Sequence, residues 1–343
     1  MLPVPSFWKT DLGTIDELVK RVRKGQVEVI TQSAGGRPVY AISYGEKPLI
    51  DRHANYNSAC GAHERRWYDG FEPRKPVVLL VGAVHGSETE GVAALVNLIE
   101  VLESGRDLRG DEWPRLVEAI EKVRLVIVPV ANPDGRARVE PAAMIGCTNA
   151  ELRYWAQGTW LDGTECGWPG CKQRHPIKEY TQFLGGYFND DGINMMHDNF
   201  FHPMAKETQA LLDLAEAEHA DYTILLHGGS NSLADILQPA YVPIEINQKL
   251  YKLACTCNEL AQKEGLEFRI HPVKEERESG ETPPSFNLTS ALHHVCGGVA
   301  CTFESNEHIA DRPGPHQTHE EIYRSHLILF EQCCCQAVAE KAE

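Results

Sequence analysis

Val77-Val78-Leu79-Leu80-Val81-Gly82-Ala83-Val84-His85-Gly86-Ser87-Glu88 is the stretch that decides the fold. Its first five residues are continuously apolar and rich in valine, which predicts a strand buried on both faces. Such strands belong to parallel sheets with helices on either side. Gly82 to Gly86 ends the strand, and Glu88 to Glu103 predicts a helix. Working outward, Pro114–Glu121 reads as a helix and Val123–Val130 as a second buried strand. The latter stops at Asn132-Pro133-Asp134-Gly135, a turn signal. The rhythm resumes with a helix at Ala205–Glu218, a strand at Tyr222–Leu226 and a helix at Glu245–Glu264. A strand at Gly298–Phe303 and a helix from His319 to about Ala339 complete it. Upstream, Asp16–Lys24 reads as an amphipathic helix, and Val27–Thr31 and Arg37–Tyr44 as strands around the Gly35-Gly36 turn. Strands alternating with helices predict an α/β fold with a largely parallel central sheet.

Two segments break the rhythm. Residues 46–74 are polar and read as an insertion loop. Residues 140–190 hold Trp155, Trp160 and Trp168, many glycines, and Cys166-Gly-Trp-Pro-Gly-Cys171. Long irregular excursions of this kind tend to shape binding sites. No linker divides the chain, so residues 1–343 are expected to form one domain with an insertion at about 140–190.

The 343 residues carry 33 Lys+Arg against 49 Asp+Glu, a net charge of −16. That balance repels phosphate backbones and anionic lipid surfaces, and weighs against nucleic-acid or membrane partners. No run is long and apolar enough for a transmembrane helix, and residues 1–10 lack a signal-peptide pattern. Eleven cysteines, with Cys333, Cys334 and Cys335 consecutive, fit a reducing compartment better than a disulfide framework. The expectation is a cytoplasmic protein; nothing in the sequence reveals its oligomeric state.

Three polar residues share one context, the carboxyl end of a buried strand: His85, His227 and Glu304. In open α/β sheets, sites form in the crevice beyond those ends. His85-Gly-Ser-Glu88 sets an imidazole and a carboxylate three residues apart in a tight turn. With His227 they make a His₂Glu set, the donor composition of catalytic zinc sites that keep a position open. Cys166-x₄-Cys171-x₃-His175, with Cys147 nearby, is a candidate for a second, structural zinc. A buried thiol pair that orders the loop is the simpler reading.

Six segments in order resemble the zinc metallocarboxypeptidase family (carboxypeptidase A-like). They are Gly36-Arg-Pro-Val-Tyr40, His85-Gly-Ser-Glu88, Asn132-Pro-Asp-Gly135, Glu207-Thr-Gln-Ala-Leu211, Leu226-His227-Gly228 and Thr302-Phe303-Glu304. The resemblance runs from about residue 36 to 310. It implies a mixed, mostly parallel sheet flanked by helices on both faces, one zinc ion, and hydrolysis of peptide or amide bonds. His85, Glu88 and His227 would be the zinc ligands and Glu304 the general base, with Glu307 its rival. Zinc held by two imidazoles and a carboxylate brings the pKa of water toward ~7.

The chain departs from the family where an Asn-Arg pair would grip the substrate's terminal carboxylate. Here Met196 and His197 stand in those places, followed by Asp198. A permanent bidentate cation gives way to a pH-dependent one beside an anion. Either Asp198 accepts a neutral or cationic substrate end, or an arginine elsewhere takes over, with Arg136, Arg138, Arg153 and Arg174 as candidates. An internal His197–Asp198 pair is the third possibility. For the oxyanion, the resemblance points to an arginine after the Asn-Pro-Asp-Gly turn, Arg138 or Arg153. Tyr241 lies where the family's mobile tyrosine would. The expected substrate is a peptide or an acyl-amino-acid. The alternatives are an N-acyl-amino-acid deacylase of the desuccinylase or aspartoacylase type, and a non-catalytic zinc-binding relative.

Overall fold

The computed structural model describes residues 1–230, 232–273 and 282–342. Its strands are β1 (Gln26–Gln32), β2 (Pro38–Tyr44), β3 (Val77–Gly82), β4 (Arg124–Val128), β5 (Gly158–Trp160), β6 (Thr181–Leu184), β7 (Tyr222–Gly229), β8 (Ala234–Leu237), β9 (Phe268–Arg269) and β10 (Val299–Asn306). Eight of them form one mixed sheet in the order β1-β2-β4-β3-β7-β10-β8-β9. The centre, β4-β3-β7-β10, is parallel throughout, while β2 joins β4 and β8 joins β10 antiparallel.

The valine-rich run behaves as its composition demands. Every residue of β3 and β4 is buried. Alternate side chains point to opposite faces of a strand, so Val78 and Leu80 enter one apolar cluster and Val77, Leu79 and Val81 the other. The first cluster is closed by the helices Glu90–Ser104, Ile244–Ala261 and His319–Ala342. The second is closed by Lys206–Glu218 and Leu288–Cys296.

Several boundaries differ from the sequence reading, each for a local reason. The first helix spans Leu12–Arg21, because Asp11 caps it by accepting from the Thr14 amide at 2.8 Å. The loop at 46–74 contains short helices at Tyr56–Gly61 and Arg66–Asp69. Asn132-Pro-Asp-Gly starts the short helix Pro133–Arg138, capped by Asn132 on the Gly135 amide. β7 and β10 run past His227 and Glu304, so these residues lie inside the strands. The excursion at 140–190 is partly regular. It holds the helix Asn149–Gln157, opened by a reciprocal Thr148–Glu151 cap, and the ribbon β5–β6.

Leu225 sits wholly buried in β7 between two parallel neighbours. Leu225→Ala is expected to destabilise the protein by about 2–5 kcal/mol, read from the midpoint shift in urea unfolding.

Candidate metal centre and its cleft

β3, β7 and β10 are adjacent and parallel, so their carboxyl ends open on the same edge of the sheet. Register does the finer positioning: Glu304 of β10 pairs with His227 of β7, and Asp235 of β8 faces Glu304 from the other side. Residues in register share a face. After β3 the chain turns sharply at Ala83 (φ 45°) and brings His85 and Glu88 over the same edge. Only glycine fits at 86, where a Cβ would come within 2.1 Å of the Arg136 nitrogen.

The three candidate ligands converge. One donor atom each from His85, Glu88 and His227 lies within 4.8 Å of the others, and all three residues are buried. Glu88 bridges the imidazoles, with Oε1 2.8 Å from His85 Nδ1 and Oε2 2.7 Å from His227 Nδ1. Burial pushes the Glu88 carboxyl up, but the two imidazoles outweigh it and hold it at about 2. His85 Nε2 lies 3.1 Å from Asn194 Oδ1, an acceptor that favours a proton on this nitrogen and so leaves Nδ1 for a metal ion when one is bound. Tyr187 stacks on the same ring at 3.9 Å. Asn194 is in turn fixed by donating its amide to His175 Nε2 at 2.9 Å. The excursion therefore clamps the candidate ligand His85.

Beside this set runs a cleft of about 770 Å³. Glu304 lines it, half-buried. Burial, with Glu88 and Asp235 adding to it and His227 opposing, pushes the Glu304 carboxyl up to about 7. Glu307 also reaches the cleft, but it is buried, and its side chain and that of Glu90 both lie against Gly228. Burial is the largest effect raising both carboxyls; Glu88 adds to it at Glu90, and Glu90, Glu88 and Glu304 add to it at Glu307. Asp235 on the cleft wall is paired with His271 at 2.7 Å.

The remaining candidates scatter. Arg153 and His197 line the cleft. His197 Nδ1 contacts Ser285 Oγ at 3.2 Å, not Asp198. Burial, reinforced by Lys172, His85, His175 and His227, lowers its pKa to about 3, so the ring is neutral and is no substitute cation. Asp198 is no substrate acceptor either. Its oxygens take the amides of Asn199, Met204 and Ala205 and the Thr208 hydroxyl, anchoring the start of the helix Lys206–Glu218. Arg138 faces away from the cleft, bonded to the Leu184 and Gly185 carbonyls and to Asp190. Arg136 braces the His85–Glu88 turn through the Gly86 carbonyl at 3.1 Å. Arg174 lies over the Tyr180 ring, and the Tyr241 hydroxyl donates to the Pro284 carbonyl at 3.0 Å. Cys166 and Cys171 sit in an apolar cluster with Ile177 and Phe188, and His175 serves Asn194. Among the described residues, the only metal-competent set is His85, Glu88 and His227.

Asn194, Tyr187 and Asp235 carry no motif of their own. The sole clue to Asn194 is its place two residues before Met196.

Asn194→Ala is expected to weaken zinc binding about 10–100-fold in competition with a chelator. Asn194→Asp, which keeps the acceptor, should restore most of it.

The sequence profile described as zinc carboxypeptidase matches residues 15–264. Human carboxypeptidase D is 35% identical over 82 residues, 23% of this chain and 6% of that protein. The human carboxypeptidase N catalytic chain is 29% identical over 230 residues, 63% of this chain and 42% of that one. The match thus spans less than half the length of either relative. A metallo-carboxypeptidase from Burkholderia cenocepacia superposes with a TM-score of 0.57 at 14% identity, covering 94% of this chain and 67% of that one. At such identity the likeness is one of fold.

Proposed function

The chain belongs to the zinc carboxypeptidase family, and on that premise we propose that it is a zinc-dependent hydrolase of peptide or amide bonds. The observation that carries this reading is the convergence of His85, Glu88 and His227 beside a wide cleft whose wall holds Glu304. The donor set suits one zinc ion: two imidazoles, at least one presenting Nδ1, and an ionised carboxylate. Zinc held there supplies a Lewis acid, which polarises a carbonyl oxygen and makes water acidic.

The protein's own part falls to Glu304. A carboxylate raised to about 7 is a stronger base than a free one and is still substantially ionised near neutrality. It takes a proton from the attacking water and passes one to the leaving nitrogen. Glu307 suits that role poorly, because burial and the neighbouring carboxylates, Glu90 first, push its carboxyl well above the usual range. Arg153 is the candidate for meeting the developing oxyanion, since it lines the cleft and Arg138 does not. The non-catalytic alternative leaves the cost of burying Glu88, Glu90 and Glu307 beside Glu304 without a purpose.

We place the protein in a reducing compartment, the cytoplasm, because all eleven cysteines are free thiols. No helix among the described residues is long and apolar enough to cross a membrane.

Glu304→Gln should cut kcat by about 10²–10⁴ and leave the zinc content unchanged by metal analysis. Intact turnover would defeat the assignment. On the acid side, kcat/KM should fall as Glu304 takes up its proton, and that limb should vanish in the variant's residual activity. Dipeptides assayed beside N-acyl-amino acids separate a peptidase from a deacylase.

A further inference from the structure

We propose that Lys172, carried on the excursion, grips a carboxylate of the substrate in place of the arginine that this chain lacks. The inference rests on reading the cleft as a peptide or amide hydrolase. Met196 and His197 line the cleft at the departed positions. Met196 has no donor to offer, and the neutral His197 ring is engaged with Ser285. Lys172 stands beside them. Its ammonium lies 3.7 Å from the centre of the Trp168 ring, and that ring lies 6.3 Å from the His197 ring. All three residues line the cleft.

The other cations of the cleft already have partners. Arg153, assigned above to the oxyanion, also lies 3.6 Å from Glu165, Arg312 bonds Asn149, and His271 pairs with Asp235. Among the described residues, Lys172 has an aromatic face as its partner and no carboxylate. An indole orients an ammonium without neutralising it, so the charge and its N–H donors stay available. Burial draws the ammonium below the usual lysine value, and a docked carboxylate would reverse that effect. Glu304 and Asp235 elsewhere on the cleft wall repel an anion and steer it toward Lys172. A lysine meets a carboxylate as a point charge rather than a fork, so the grip tolerates more than one orientation.

The test uses zinc-loaded Glu304→Gln protein, so that ligands bind without turning over. Calorimetry compares an N-acyl dipeptide ending in glycine, as free acid and as carboxamide, with a carboxamide ending in glutamate. A carboxylate-bearing ligand should bind about 10–100-fold more tightly than the neutral one. Adding Lys172→Gln should erase that preference, and Lys172→Glu should invert it. Binding of the neutral ligand should be unchanged. Lys172-dependent binding of the glycine acid assigns the grip to the terminal carboxylate. The same dependence for the glutamate carboxamide assigns it to an acidic side chain. If no carboxylate-bearing ligand loses affinity in Lys172→Gln, the proposal is overturned. Absence of turnover in the unaltered chain would count against the hydrolase reading alone, because this readout is binding.

Discussion

The parallel placement of β7 between β3 and β10 is the constraint on which the site depends. Parallel neighbours end on the same edge, and the ladder decides which side chains stand side by side. Here it sets Glu304 next to His227. A slip of one residue in β10 would turn Glu304 to the opposite face and put Phe303 or Ser305 in its place. The packing that holds this register lies far from any chemistry. It comes from alternating residues of the central strands, buried in two separate apolar clusters.

On that frame the protein arranges carboxylates whose surroundings differ sharply. Glu88 lies between two imidazoles and stays ionised, Glu304 is raised to about 7, and Glu90 and Glu307 are raised by burial and by neighbouring carboxylates. Burial acts on all four in one direction. Their differences come from what each one faces. The excursion at 140–190 contributes to the same arrangement. Through Gly186 it receives the Gly86 amide, through Tyr187 it covers His85, and through His175 it orients Asn194. A segment that resembles a loop in composition thus supplies the outer support of the candidate ligands.

Polar residues close to a motif proved the hardest to interpret. Asp198, Arg136 and Arg138 all sit near segments that resemble family motifs, yet each one satisfies backbone groups. Buried amides and carbonyls need partners as much as a substrate does. Sequence proximity cannot distinguish the two demands, because the carbonyls that Arg138 meets, at 184 and 185, lie more than forty residues away in the chain.

Local pattern was enough for the layered architecture and for His85, Glu88, His227 and Glu304 as candidates. Buried parallel strands need unbroken apolar runs, and a polar residue at the end of such a run stands out. Strands β8 and β9 and the helix Leu288–Cys296 were not legible. They are short, and neighbouring elements stabilise them more than their own periodicity does. Tertiary structure alone decided the partners of each polar side chain: that Asn194 meets His85, that Asp198 anchors a helix, and that Lys172 stands beside Trp168 and His197. Those contacts join residues from separate stretches of chain, or depend on how a turn folds back on itself, and one-dimensional spacing carries neither distance nor direction.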